Sequence, residues 1–508
     1  MTDLTAERAP GKELLEELDL QAPTSFYWSL ALLATIGGFL FGYDTSNIGS
    51  ALNFVPYHLA GLSLGYLVSG ASLGAAAGAI SAGPLTDHFG RKSLLVVDAF
   101  IYATGAVLSA VTPDAAVLLA ARTLIGLAIG ADSAIATAYI AEYAPRSRRG
   151  SLGMLQQWMI TVGILVAYVV ALVIFSVAPH SAGTVDWRLV LGLGAVPALV
   201  GVVLRSRMPE SPRWLLRKGR FEDAQKTFAH LGVHVDMAAV RRSAQQLYAS
   251  DRGANSKPSR WSPGVKRALV IVCTFFVFQQ VTGINVPLYY GPHLLGSLFS
   301  GHGATKVAKT VAGVEVTAIM TAVNVTATYF AFRLIDRIGR RKLAIGGYLG
   351  MAVFGVVSAV GLGLLGGMAR VVVSMIGLDF FVASFALGVG GTGWLIQAES
   401  FPTAVRGQAA AVGATVDWLA NFALIEVFPI WQAGIGLPWV MVCFAGLCLA
   451  ALVFVGRFLP ETKGRSLEEI TELYEGHASA AHGHRKDPKP TGLSWHLGQF
   501  PVHHAHRQ

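Results

Sequence analysis

The chain is poor in charged residues, and this shortage defines the class of protein. Only 14% of its 508 residues are Asp, Glu, Lys or Arg, whereas 53% are hydrophobic. The mean hydropathy of +0.53 is unlike that of a water-soluble globular protein. The composition therefore predicts an integral membrane protein.

Cysteine and catalytic motifs are also scarce. The three cysteines, Cys273, Cys443 and Cys448, lie in apolar stretches, so we expect small buried side chains and no disulfide framework. The sequence shows no nucleophile elbow, nucleotide-binding loop or metal-ligand constellation, so we expect neither an enzyme nor a cofactor. The acidic N-terminal segment has no apolar core, and no cleavable signal peptide is predicted.

Long apolar stretches are the most prominent feature of the sequence. Each is long enough to cross a bilayer as a helix with a rise of about 1.5 Å per residue. The twelve stretches lie near residues 26–49, 61–85, 93–112, 115–140, 152–178, 187–206, 265–290, 308–332, 343–366, 371–397, 408–430 and 437–458. We therefore predict an all-α membrane protein with twelve spans.

The net charge of +9 is concentrated in alternate loops between these stretches. Arg91, Lys92, the segment 207–267 and the loop at 337–342 carry many of the cations. Because cytoplasmic loops are enriched in Lys and Arg, this pattern predicts that both termini and the 207–267 segment are cytoplasmic. Since the basic residues follow the topology, the charge gives no reason to expect a nucleic-acid partner.

Three short motifs occur twice, once in each half of the chain. D-x-x-G-R-[RK] begins at Asp87 and Asp336, E-x-x-P-x-x-x-R-G begins at Glu142 and Glu399, and Pro-Glu follows the sixth and twelfth spans at 209 and 460. The offsets between the copies are 249, 257 and 251 residues. A unit of six spans is therefore used twice.

The repeated acids and bases lie at the predicted cytoplasmic ends of the spans, where they can form charge-assisted pairs. We expect these pairs to clamp the inner ends of the two halves together and to bias a two-state equilibrium. The predicted gating network consists of Asp87, Arg91, Glu142, Arg149, Asp336, Arg340, Glu399 and Arg406. The alternative is ordinary topogenic charge, which explains the bases but not the acids.

Asp44 is a carboxylate within the first apolar stretch. An Asp at the centre of a spanning helix costs about 2.5–3.5 kcal/mol on an insertion scale, so such acids are functional by default. A buried acid can take up and release a proton as its surroundings change. The alternative is a structural Asp that ties two helices together. Asp132, Asp379 and Glu315 are further acids, for which a position near a helix end or a wet cavity wall is as reasonable as a role in transport.

Amide and aromatic residues within the spans indicate the chemistry of a ligand. Each amide both donates and accepts, as a sugar hydroxyl does, and the C–H faces of a sugar or polyol pack on aromatic rings. An anionic ligand would require cations, which these segments lack. The predicted substrate-binding residues are Gln157, Gln279, Gln280, Asn285, Tyr289, Asn324, Trp394, Asp417 and Trp418. Gly283, Pro287 and Pro292 predict a bend or break in the seventh span.

The chain resembles the sugar porters of the major facilitator superfamily. Gly42-Tyr43-Asp44, the three doubled motifs and Pro209-Glu210-Ser211-Pro212-Arg213 match that family in order and spacing over roughly residues 25–468. The resemblance implies two six-helix bundles around a central cavity with alternating access. It also implies a cytoplasmic N-terminal tail, two bundles, a helical insert and a C-terminal tail, at 1–25, 26–206, 207–264, 265–458 and 459–508.

The same resemblance implies a function and roles for particular residues. Sugar porters that are proton symporters have an acid at the position of Asp44 and an Arg at the position of Arg122, whereas passive facilitators often have an amide at the first position. The expected function is import of a neutral hexose, pentose or inositol by proton symport, in the cell (inner) membrane and as a monomer. A passive facilitator and a non-transporting sugar sensor are the alternatives.

Two features depart from that expectation. Asp417 stands where sugar porters usually have Gln or Asn, so it either accepts two sugar hydroxyls, forms a second titrating site or favours a substrate bearing an amine. The segment after Leu473 holds half of the 14 histidines. It fits a metal-binding segment less well than a disordered cytoplasmic tail, because no ligand spacing is enforced.

Overall fold

Helices make up the regular structure of the part of the chain that the computed structural model describes. That part comprises residues 25–57, 59–143, 149–231, 233, 235–256, 261–300, 303–401, 405–463, 470 and 473–474. For residues 25–27, 141–143, 149–153 and 249–256 within these ranges, only the backbone is described. The histidine-rich tail lies outside the described residues.

The first half contains six spans, of which the first and the sixth are interrupted. The first span consists of Ser25–Ala34 and Ile36–Ala51. The second to fifth spans are Leu62–Phe89, Arg91–Val111, Ala115–Tyr143 and Arg149–Val177. The sixth is assembled from a 3₁₀ turn at Pro179–Ser181, a π-helical turn at Ala182–Asp186 and the helices Trp187–Gly192 and Ala195–Ser206.

Three helices follow and form an insert at one end of the bundle. They are Pro212–Arg217, Phe221–His230 and Met237–Ser256. The segment 221–231 is amphipathic, because Ala224, Phe228 and Leu231 are buried while Glu222 and Lys226 face solvent. We call the end of the bundle that bears these helices the insert face, and the other end the opposite face.

The second half repeats the six spans. The seventh consists of Pro263–Val281 and Asn285–Phe299, and the tenth of Gly367–Gly388 and Gly390–Ser400. The eighth, ninth, eleventh and twelfth spans are Lys306–Ile338, Arg340–Leu364, Arg406–Ile435 and Leu437–Phe458. Eleven segments of the described chain are long and apolar enough to cross a membrane. The broken first span completes the twelve that the sequence predicts.

The two halves meet along pairs of spans that are equivalent in the repeat. The second span packs against the eleventh, and the fifth against the eighth. Because the second and eighth spans hold equivalent positions in their halves, as do the fifth and eleventh, the two interfaces are related by an approximate two-fold axis. The hydrogen bonds recorded between the halves run from the middle of the bundle to the opposite face, and include Ser72 to Asn421 and Asn53 to Thr310.

The repeat is visible in how the third and ninth spans begin. The Glu210 carboxylate accepts hydrogen bonds from the backbone N–H groups of Arg91 and Lys92, at 3.0 and 3.2 Å. Glu461 accepts from the N–H groups of Arg340 and Arg341 in the same way, at 2.9 and 3.1 Å. A carboxylate at a helix N-terminus satisfies N–H groups that have no partner within the helix. In each half, the glutamate of the Pro-Glu motif therefore caps the helix that begins at the Gly-Arg motif.

The outer surface of the spans is apolar. Leu364, Val177 and Val111 are 81, 78 and 66% exposed, and Phe100 and Val453 also face outward. Exposed apolar residues on this scale suit a lipid environment rather than water. The prediction that the cysteines are buried is wrong for Cys443, which is exposed on this surface, whereas Cys448 is buried.

Candidate functional site

The break in the seventh span places two amides side by side at the centre of the bundle. Gln280 is the next-to-last residue before the break, and Asn285 is the first residue of the helix after it. Between them, Gly283 has φ of +88°, a left-handed conformation that favours glycine. A side chain at this position would also overlap the ring of Phe444. The expectation of a broken seventh span is therefore confirmed, at Gly283.

Gln280 is the centre of a buried hydrogen-bond network. Its Nε2 donates to Asp417 Oδ1 at 2.7 Å. Its Oε1 accepts from Asn285 Nδ2 at 2.7 Å and from Asn421 Nδ2 at 3.0 Å. An ionised carboxylate can only accept, so Asp417 fixes the orientation of the Gln280 amide. The network holds three predicted binding residues and Asn421 in one arrangement.

The network also reaches across to the first half. Asn421 Oδ1 accepts a hydrogen bond from Ser72 Oγ at 2.8 Å. One turn further towards the opposite face, Ser69 Oγ donates to Glu426 at 2.6 Å. These bonds join the second span to the eleventh, so a ligand that displaces or reorients the Gln280 network acts directly on the interface between the halves.

Aromatic rings lie beside the network. Trp418 packs edge-on against Phe41 of the first span, with ring centroids 4.8 Å apart. Trp394 of the tenth span packs on Phe276 of the seventh at 5.1 Å. Such surfaces suit the C–H groups of a sugar ring.

Several polar atoms here have no hydrogen-bond partner among the described residues. They are Trp418 Nε1, Gln279 Oε1 and Gln397 Oε1, and all three are buried. Buried polar groups in native structures normally have partners. One donor and two acceptors are therefore free for a ligand that, like a polyol, both donates and accepts.

The other predicted binding residues take up different positions. Gln279 Nε2 donates to the carbonyl of Gly390 at 2.9 Å, and Gln157 of the first half lies against the same glycine. Tyr289 is buried near Thr45 of the first span. Asn324 is recorded in a contact with Thr328 of its own helix at 3.4 Å, so the structure does not bring it into the Gln280 network.

Asp44 and Arg122 form a buried ion pair within the first half. The exposed fractions of the two residues are 4 and 0%. Arg122 Nε donates to the carbonyl of Leu67 at 3.2 Å, and Arg122 Nη2 has no partner among the described residues. The first span, which carries Asp44, packs against the second helix of the seventh span, where Gly49 contacts the backbone of Tyr289. The pair is thus close to an interface between the halves.

The ion pairs described for the predicted gating network lie inside each half. Asp87 pairs with Arg91 at 3.3 Å. Arg340 pairs with Asp336 at 3.1 Å and with Glu399 at 2.7 Å. The expected clamp between the halves is therefore absent from these described pairs, because each links helices of the same half. The side chains of Glu142 and Arg149 lie outside the described residues, and Arg406 Nε donates to the carbonyl of Phe401 at 3.1 Å.

Some residues of these networks were not among the predicted site residues. Asn421 lies four residues after Asp417 on the eleventh span, and that helical spacing is the signal that predicts a shared face. Ser72 carries no such signal, because small polar residues are common in spans. Asp132 is not at a helix end or a wet wall, since it pairs with buried Arg205.

Comparison with known proteins gives a consistent picture. A family model described as "Sugar (and other) transporter" matches residues 30–474. The glucose transporter GlcP of Staphylococcus epidermidis is 34% identical, over 86% of this chain and 95% of its own length. The arabinose-proton symporter of Bacillus subtilis is 32% identical, over 88% and 94%.

A solved structure agrees with the same picture. The proton:xylose symporter XylE, of E. coli, bound to 6-bromo-6-deoxy-D-glucose, superposes with a TM-score of 0.73. Its sequence is 29% identical, and the match covers 89% of this chain and 99% of that one.

Proposed function

Because this chain belongs to the sugar porter family of the major facilitator superfamily, whose members are membrane transporters and not enzymes, we propose that it couples the uptake of a neutral sugar or polyol to an inward flow of protons. The observation that carries this proposal is the pair of buried networks: amides around Gln280 that suit hydroxyl groups, and the Asp44–Arg122 ion pair that suits a proton.

The chemistry of the binding network supports a neutral polyhydroxylated substrate. Gln280, Asn285 and Asn421 offer donors and acceptors, and Trp394 and Trp418 offer flat apolar surfaces. No Lys or Arg contacts the Gln280 network among the described residues. An anionic substrate would therefore lack a counter-charge, whereas hexoses, pentoses and inositols would not need one. The relatives named for glucose, arabinose and xylose agree with this class.

Proton coupling is supported by the burial of Asp44. In the cycle we infer, Asp44 is ionised beside Arg122 in the empty carrier, and a proton from outside neutralises it and weakens the ion pair. Sugar then binds mainly to the second half, and the halves rock about the Ser72–Asn421 region. Moving one charge through 100 mV supplies about 2.3 kcal/mol, or roughly 50-fold accumulation.

The arrangement of the two halves corresponds to one conformation of that transport cycle, in which the halves are joined towards the opposite face. Cross-half hydrogen bonds such as Tyr168 Oη to the carbonyl of Leu288, at 2.5 Å, and His293 to Asn53, at 2.6 Å, lie towards the opposite face. If the insert face is cytoplasmic, as the loop charges suggest, this conformation is closed to the outside.

The intra-half ion pairs then acquire a role in rigid-body motion. With Asp336 and Glu399 both bound to Arg340, the eighth, ninth and tenth spans are tied at one end, and Asp87 and Arg91 act in the first half. We infer that these pairs let each half move as a unit. We further infer cytoplasmic termini, a bacterial inner-membrane location, monomeric function and the division into two bundles, insert and tails set out above.

Transport by the full-length chain in proteoliposomes tests the proposal. Labelled pentoses, hexoses and inositols are offered under an imposed inward proton gradient, with and without a protonophore. We expect accumulation of at least one of them, its loss with the protonophore, and alkalinisation outside when sugar is added. Equilibration without accumulation indicates a passive facilitator, and binding without flux indicates a sensor. Either result refutes symport.

A further inference from the structure

A second buried ion cluster lies in the first half, away from the Asp44–Arg122 pair. Arg205 of the sixth span pairs with Asp98 of the third span at 3.1 Å and with Asp132 of the fourth span. The exposed fractions of these three residues are 0, 4 and 3%. The cluster has no part in the sugar site or in the proton step proposed above.

The charges of the cluster do not balance if both acids are ionised. One guanidinium faces two carboxyl groups, and burying the remaining negative charge in a spanning segment is costly. Both carboxyl groups contact the same nitrogen of Arg205, Nη1, so they lie beside each other. Asp98 Oδ2 and Asp132 Oδ1 are buried and have no hydrogen-bond donor among the described residues. Because a carboxylate only accepts, a bond between the two groups requires a proton on one of them.

Among the described residues, no further charged side chain forms an ion pair with the cluster. The first span contributes backbone carbonyls, and the third span adds that of Leu95, to which Arg205 donates at 2.9 Å. The Tyr102 hydroxyl, one turn along the third span, donates to the carbonyl of Leu40 instead. The described ionisable groups that face the cluster are therefore Arg205 from the sixth span, Asp98 from the third and Asp132 from the fourth.

The cluster is attached to the break in the first span. Arg205 donates to the carbonyls of Leu33 and Ala34, at 3.2 and 2.9 Å, just before the interruption at Thr35 that separates the two helices. On the other side of the break, Gly37 packs against the Asp132 carboxyl group, where an added side chain would overlap it. We call residues 33–37 the first-span joint.

We propose that Asp98 and Asp132 bind one proton between them and form a second proton-binding site, which keeps the first-span joint packed against the third, fourth and sixth spans. With the proton bound, the cluster is neutral and Arg205 keeps its bonds to Leu33 and Ala34. When the proton leaves, two carboxylates compete for Arg205 and draw it away from those carbonyls, so the joint loosens. This site is independent of the proposed symport, because it would bind a proton even in a chain that transports nothing.

Infrared difference spectroscopy of the full-length protein tests the bound proton. At neutral pH we expect a protonated-carboxyl carbonyl band that is lost in Asp98→Asn, because the remaining Asp132 is then ionised beside Arg205. The band should remain in Asp44→Asn, which alters the other ion pair and is the matched control. An unchanged carboxyl region in Asp98→Asn overturns the proposal.

Hydrogen exchange tests the effect on the joint and relies first on the unmodified protein. After correction for the intrinsic rate, we expect exchange of the amides of residues 33–39 to rise about tenfold or more from about pH 6 to about pH 9, as local opening becomes easier. In Asp98→Asn, which mimics the protonated state, this rise should vanish, and in Asp44→Asn it should persist. A joint whose exchange does not depend on pH in the unmodified protein, or an equal rise in Asp98→Asn, contradicts the proposal.

Discussion

Gln280 and Asp417 form a buried hydrogen bond of 2.7 Å between the seventh and eleventh spans. No cation is recorded beside Asp417 among the described residues, so its partner there is the Gln280 amide. A carboxylate in this position is a stronger acceptor for a hydroxyl group than an amide would be. The bond therefore combines two roles, since it orients Gln280 and leaves the second Asp417 oxygen for a ligand.

Asp417→Asn should weaken sugar binding without abolishing coupling. An Asn oxygen still accepts from Gln280, so the network keeps its geometry, but a charge-assisted bond to the substrate becomes a neutral one. The difference of about 1–2 kcal/mol predicts roughly a five- to thirtyfold loss of affinity. Equilibrium binding to the purified protein measures it. Normal affinity together with lost accumulation would instead identify Asp417 as a second titrating site, and selective loss of an amino sugar would indicate a cationic substrate.

Gln280→Ala should have a larger effect on sugar affinity. The substitution removes the partner of Asn285, Asn421 and Asp417 at once, and each buried group left unsatisfied costs about 1–3 kcal/mol. We expect sugar affinity to fall by about two orders of magnitude. Gln246→Ala, at an exposed position of the insert, is the matched control. If affinity is unchanged in Gln280→Ala, the binding site lies elsewhere.

Asp44→Asn should separate transport from coupling. The amide cannot carry a proton, so uphill uptake should be lost, while sugar exchange across the membrane at equal concentrations should partly survive. Proteoliposome uptake and counterflow assays measure the two activities. Asp379→Asn is a suitable control, because it removes another acid from a spanning helix. Undiminished accumulation in Asp44→Asn would exclude this residue as the proton carrier.

Glu399→Gln should destabilise the second half rather than shift the balance between conformations. Glu399 binds Arg340 at 2.7 Å and accepts from Thr462 at 2.6 Å, and both partners belong to the same half. Bonds to charged groups of this kind contribute about 1.5–3 kcal/mol, so the purified protein should unfold at a lower temperature. Asp223→Asn, in an exposed pair of the insert, should have little effect. If stability is unchanged but the side of the membrane from which the cavity is accessible changes, the result would support the predicted clamp between the halves.

The sequence predicted more of the fold than of the site. Long apolar stretches identify spans because backbone groups in lipid must be satisfied within a helix. The doubled motifs located the repeat, and the structure adds the reason for the third motif, since Glu210 and Glu461 cap equivalent helices. Gly283 and its neighbouring prolines located the break in the seventh span. The cross-half clamp stays a prediction, because a motif shows which charges can pair but not which helix supplies the partner.

The sequence by itself determined the class, the twelve spans, the six-span repeat and the residue types available to a substrate and a proton, because these follow from composition and spacing along the chain. Only the tertiary structure decided which of those residues meet. It joined Gln280 to Asp417 and Asn421, left Asn324 outside that network, and brought Asp98, Asp132 and Arg205 together from three different spans. The physical reason is that the rotation and depth of each helix are set by packing against its neighbours, and these determine which buried polar groups meet.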